Sequence, residues 1–133
     1  MQKKFHRSYD SLEEIFKFAE GIFVSDDVEP AIRFPLHFVM EELFTNMVKY
    51  NPGNSNDILL DVDTAGRGVT VSLTDFDVDD FDVTTDRNID VEAPLDVRTP
   101  GGLGLHLIQR MVDSLRYNYE NRRSTVTFTK EPE

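Results

Sequence analysis

The sequence predicts an α+β domain: a two-layer sandwich in which a mixed or antiparallel sheet is covered on one face by helices. Two observations carry this expectation. Apolar residues recur at helical spacing in three separate segments, each beginning or ending at a recognisable helix signal. Between and after them lie two pairs of strand-like segments joined by short polar turns, which means hairpins and antiparallel pairing. The coarse order is β-α-α-β-β, a long irregular segment, then α-β-β. With 133 residues, the whole span 1–133 is expected to form one domain.

Residues 3–9 read as an edge strand. Ser11 reads as the N-cap of a first helix, with Glu13 and Glu14 in its first turn. Leu12, Ile15, Phe16, Ala19, Ile22 and Phe23 then follow the helical period, until the acidic stretch 25–29 breaks it. The second helix is expected near Pro35, a residue favoured in a first turn, and to end at Asn51-Pro52-Gly53. Segments 58–63 and 68–75 flank Thr64-Ala65-Gly66-Arg67. The strict alternation of Val69-Thr70-Val71-Ser72-Leu73-Thr74 marks a half-buried strand. From Asp75 to Pro100 there are nine acidic residues and no periodicity. A segment of that kind inside a domain is usually functional or disordered, and residues 76–100 are expected to form a lid. A helix over 103–115 and two strands, 116–120 and 124–129, complete the chain.

Charge narrows the function. The formal net charge is -11 and the isoelectric point about 4.6. Affinity for nucleic acid rests largely on Lys and Arg neutralising phosphates, so direct nucleic-acid binding is not expected. A phosphate-bearing ligand would need local means: backbone amides, a metal ion or a few placed cations. Cysteine is absent, which removes disulfides and thiolate metal sites. No apolar run approaches a membrane span, and MQKKFHRSYD lacks the apolar stretch of a secretory signal. The expectation is a cytoplasmic protein without a membrane partner.

Three places carry chemistry. Glu42 and Asn46 are four residues apart, so a carboxylate and an amide stand one above the other on a helix face. That pair suits a hard cation such as Mg²⁺, although a solvated polar stripe would look the same. Asp75 ends an alternating strand, where a carboxylate can accept a hydrogen bond from an exocyclic amine or simply form a turn. Gly101-Gly102-Leu103-Gly104 opens a helix, either as an ordinary turn or to offer free amides and the positive end of the helix dipole to a phosphate. No GxxxxGK[ST] is present and no strand directly precedes the glycines, so neither a P-loop nor a dinucleotide-binding turn fits.

The order of these features resembles that of the GHKL (Bergerat-fold) ATPases. It is more closely similar to the stand-alone anti-sigma factor serine/threonine kinases of bacterial partner switching. EELFTNMVKYN resembles the family's N box, LTDFDVDDFD its G1 region, and APLDVRTPGGLGLHLIQRMVDSLRY its G2 segment. The resemblance covers about residues 35–130 and implies ATP and Mg²⁺ as cofactors. By it, Asn46 ligands Mg²⁺, Glu42 orients or deprotonates the attacking hydroxyl, and Lys49 touches a phosphate. Asp75 reads the adenine amine, and the turn at Gly101, Gly102, Gly104 and Leu105 admits the triphosphate. It also implies a sigma factor and an anti-anti-sigma-type antagonist as protein partners, and a homodimer formed through the N-terminal strand and helix.

Two features favour other readings. The family's glycine two residues after the G1 aspartate is Asp77 here, which fits a partner-sequestering module that keeps the scaffold without catalysis. Asp75, Asp77 and Asp79 match the first ligands of a calcium loop, but Asp80 stands where such a loop needs glycine.

Overall fold

The computed structural model describes residues 1–51, 53–80 and 102–133, and the side chains of the last stretch from His106 onward. Strand β1 (Gln2–Phe5) leads through a 3-10 turn (Tyr9–Ser11) into helices α1 (Leu12–Ser25) and α2 (Pro30–Tyr50). Strands β2 (Ile58–Asp63) and β3 (Val69–Phe76) follow, then helix α3 (Gly102–Met111), β4 (Ser114–Glu120) and β5 (Arg123–Lys130). The five strands form one sheet in the order β1-β2-β3-β5-β4, and every neighbouring pair is antiparallel. The expected α+β sandwich is therefore present, with its sheet wholly antiparallel.

Strand periodicity decides which side chains face the helices. Val69, Val71 and Leu73 are buried, while Thr70, Ser72 and Thr74 between them are half-buried. Ile58, Leu60 and Val62 on β2 and Val126 and Phe128 on β5 obey the same alternation. These residues pack with Ile15, Ala19 and Phe23 of α1, Leu36, Met40, Leu43 and Phe44 of α2, and Ile108 of α3. Each fully buried large aliphatic or aromatic side chain contributes roughly 1.5–3 kcal/mol, so this single cluster dominates stability. Hydroxyls pair across the opposite face, Ser72 with Thr127 at 2.9 Å and Ser114 with Thr129 at 2.6 Å. That face needs no helical cover.

Some details differ from expectation, each for a local reason. Strand β1 ends at Phe5, because His6 to Ser11 turn: the Ser8 amide donates to the His6 carbonyl at 2.8 Å. Ser11 makes no side-chain cap of α1; its hydroxyl donates to the His6 carbonyl at 2.7 Å instead. Helix α2 begins five residues early, with Pro30 rather than Pro35 in the first turn and Pro35 inside the helix. Pro30 takes the position where a missing N–H costs nothing. The extra turn lets Ile32 join the core, and Arg33 fastens it by donating to the Val28 carbonyl from Nε (2.9 Å) and Nη2 (2.7 Å). Finally, α3 ends at Met111 rather than 115. Leu115 fits the helical period, but pairing with Phe128 in the sheet wins, and the Asp113 amide donates to the Thr129 carbonyl at 2.8 Å.

The end of α1 closes as a Schellman motif. Asp27 adopts φ 55°, and the Val28 amide donates to the Phe23 carbonyl at 2.8 Å. That turn sends α2 back across the sheet. His37 of α2 meets Glu20 of α1 at 2.6 Å, so the buried imidazole at the helix interface is satisfied.

Candidate functional site

Polar side chains are rarely buried without a partner or a purpose. Among the described residues five polar residues are buried as a whole, Ser11, His37, Asn46, Asp75 and Ser124, and the side chain of Arg7 is buried as well. The first two are explained by the His6 carbonyl and by Glu20. The other three line one cleft, together with Met47, Tyr50, Asn51, Val78, Asp79, Tyr117 and Val126.

Each reaches the cleft through its element's period. On α2, Leu36, Val39, Met40, Leu43, Phe44 and Met47 face the core, and Asn46 lies at the edge of this stripe, 8% exposed. On β3, Asp75 continues the inward row of Val69, Val71 and Leu73 and is 1% exposed. Ser124 stands opposite Asp75 in the β3–β5 register. A strand that alternates cleanly and then places aspartate on its core side has traded burial energy for a carboxylate at that position.

The carboxylate is closely held. Arg7, immediately beyond β1, forms a buried ion pair with it: Nη2 donates to Oδ1, and Nη1 to Oδ2 at 3.4 Å. Asn51, at the end of α2, donates from Nδ2 to Oδ2 at 3.1 Å. With both oxygens facing donors, Asp75 serves as an acceptor in the cleft wall.

The other expected site residues divide. Glu42 is half-buried, one turn before Asn46 on the same helix, and is not in the cleft lining. Lys49 is exposed beyond it. Gly102 opens α3 and Gly104 lies in its first turn, and α3 packs against α2. The Leu105 backbone is helical, but its side chain lies outside the described residues, as do Gly101 and the lid segment 81–100.

Asp77 answers the question raised by the missing glycine. Its φ is 57°, the left-handed conformation that glycine adopts without strain and aspartate tolerates. Its carboxylate accepts from Arg122 Nε at 2.9 Å, and Asp79 accepts from Arg122 Nη1 at 3.0 Å. These contacts hold the Arg122 guanidinium above its usual pKa, the Asp77 hydrogen bond contributing most. Asp77 lines a neighbouring polar hollow with Asn54 and Arg122, not the cleft of Asn46 and Asp75.

The calcium reading is corrected by the same contacts. Asp75 turns inward to Arg7 while Asp77 and Asp79 turn outward to Arg122, so the three carboxylates do not converge. Among the described residues no group of three or more His, Asp or Glu side chains is placed to hold a metal ion.

A family model described as a histidine kinase-like ATPase domain matches residues 5–130. The chain belongs to the histidine kinase-like ATPase family. No individually curated protein matches it. Membership agrees with the antiparallel five-stranded sheet under helices and carries ATP binding with it. The cleft between α2 and the ends of β3 and β5 brings together buried Asn46, Asp75 and Ser124. Among the described residues no helix is long and apolar enough to cross a membrane.

Sequence reading missed Arg7, Asn51 and Ser124. Ser124 had a usable signal, because alternation from Val126 and Phe128 puts it on the core face. Arg7 had none, since it reaches Asp75 across 68 positions of sequence.

Proposed function

We propose that this protein is a cytoplasmic, ATP- and Mg²⁺-dependent serine/threonine kinase that acts as an anti-sigma factor in partner switching. In one state it holds a sigma factor, and in the other it phosphorylates an antagonist protein. It works as a homodimer. The observation that supports this reading is the convergence of buried Asn46 and Asp75 on one cleft, with α3, which opens at Gly102, packed against the helix that bears Asn46.

The donor set suits the cofactors. Asn46 offers an amide oxygen of the kind that Mg²⁺ accepts while keeping waters. Asp75 offers an acceptor to an exocyclic amine, and the start of α3 offers amides to phosphate. Glu42, one turn from Asn46, orients the hydroxyl of the protein substrate. When bound, Mg²⁺ and ATP supply charge neutralisation and the phosphoryl group; positioning is the work of these side chains.

The partner-sequestering module without catalysis was suggested by Asp77. The pairing of Asp77 with Arg122, outside the cleft lining, supports the catalytic reading over that one. Calorimetric titration with Mg²⁺–ATP tests the kinase reading, followed by phosphotransfer to candidate antagonist proteins. Binding that is weakened in Asn46→Ala supports it, and absence of heat from wild type at millimolar nucleotide rules it out.

A further inference from the structure

We infer that Arg7 is a positioning residue for nucleobase recognition: from behind Asp75 it fixes which carboxylate edge faces the cleft, and so sets the preference for a purine bearing an exocyclic amine. This rests on the reading of the cleft as an adenine site.

The geometry separates the two residues by role. Both side chains are almost fully buried, Arg7 at 3% and Asp75 at 1% exposure. Asp75 and Asn51 line the cleft, whereas Arg7 lines neither it nor the adjoining hollow. The guanidinium therefore approaches the carboxylate from its far side. Two further donors are engaged, Nη1 with the Met47 carbonyl at 2.9 Å and Nε with the Asn56 carbonyl at 3.2 Å. Met47 lies in the last turn of α2, where helix carbonyls lack internal partners. Arg7 thus ties the helix that bears Asn46, the segment after it and the strand that bears Asp75 into one unit.

A carboxylate has about four acceptor positions. Arg7 fills one on each oxygen, and Asn51 fills the second on Oδ2. Among the described residues no donor takes the second position on Oδ1, which on this reading receives the ligand. It suits an N–H donor and repels a keto oxygen at the same place. Asp75 without the fork would retain its charge type but lose the fixed orientation that makes the choice. Lysine cannot substitute, because a single ammonium lacks the planar pair of donors.

The test is a double comparison. ATP, the corresponding triphosphate of purine riboside (no exocyclic amine) and GTP are titrated calorimetrically into wild type, Arg7→Lys and Arg7→Gln, with thermal melts confirming folding. Wild type is expected to prefer ATP over the other two by about tenfold or more, the value of one hydrogen bond to a charged group. In the variants that preference falls to within about twofold, through weaker ATP binding and little change for the purine analogue. Folded variants that keep the wild-type preference overturn the inference, as do equal losses for all three nucleotides. An Arg7→Lys protein that does not fold also overturns it, because the role is then structural. Wild type that binds no nucleotide is a separate result, which removes the adenine site itself.

Discussion

Asn46 and Asp75 sit on different elements, the last third of α2 and the end of β3, yet both present buried polar side chains to the same cleft. The helical period sets Asn46 beside the apolar stripe, and the strand period sets Asp75 in line with Val69, Val71 and Leu73. The two periods intersect because α2 packs across β3. A cation held near Asn46 and a base held near Asp75 would therefore be anchored to a helix and a strand of the sandwich.

If Asn46 contributes to a Mg²⁺ site, metal and amide act through the same contact. Chelating Mg²⁺ is expected to weaken ATP binding to wild type by about tenfold or more, roughly 1.4 kcal/mol. Asn46→Ala should show the weaker affinity from the start and respond little to chelation. Titrations with and without a chelator give the four affinities. Equal sensitivity of both proteins would show that Asn46 is not involved with the metal.

The Arg7–Asp75 pair makes a stability prediction independent of any nucleotide. Removing one member strands the other charge in a buried place, which typically costs about 3–5 kcal/mol. Asp75→Leu and Arg7→Leu should each lower the urea midpoint by that equivalent. The double variant should lose clearly less than the sum of the two. Additive losses would mean that the pair is not energetically coupled, whatever its geometry.

Much of the fold was legible because it depends on local rules. The helix stripes of α1 and α2, the alternation of β3 and the hairpin turns each announce themselves within a dozen residues. Where local signals competed, tertiary pairing decided: Leu115 obeys a helical period yet belongs to β4, and Pro35 is a plausible helix start that Pro30 displaces. Of the site, Asn46 and Asp75 were visible because a polar residue stood beside or within an apolar pattern. Arg7 was not, because nothing near Phe5 or Ser8 hints at a carboxylate reached only when β1 joins the sheet.

Glu42 is half-buried one turn from Asn46 and outside the cleft lining, so the proposed role in orienting the hydroxyl can be separated from nucleotide binding. Glu42→Gln is expected to leave ATP affinity within about twofold of wild type, since the amide is isosteric. Phosphotransfer should fall by about 10²–10⁴, the usual contribution of a positioned proton acceptor. Single-turnover transfer from labelled ATP to the antagonist, read beside calorimetric affinity, separates the two. A variant with near-normal transfer would relieve Glu42 of the role.

Asp77 allows the competing, non-catalytic reading to be tested through backbone conformation. At φ 57° a side chain is strained, and glycine removes that strain, an effect of about 1 kcal/mol or less for aspartate. Asp77→Gly also loses the exposed contact with Arg122, which is worth little in solvent. The expected result is a melting temperature equal to or slightly above that of wild type, with ATP affinity changed by less than about threefold. The reason is position: the carboxylate faces Arg122 and the outer hollow, leaving the wall formed by Asn46, Asp75 and Ser124 unaltered. A gain of tenfold or more in affinity would instead show that Asp77 obstructs the nucleotide, and would favour a scaffold that retains its partner-binding surface after losing catalysis.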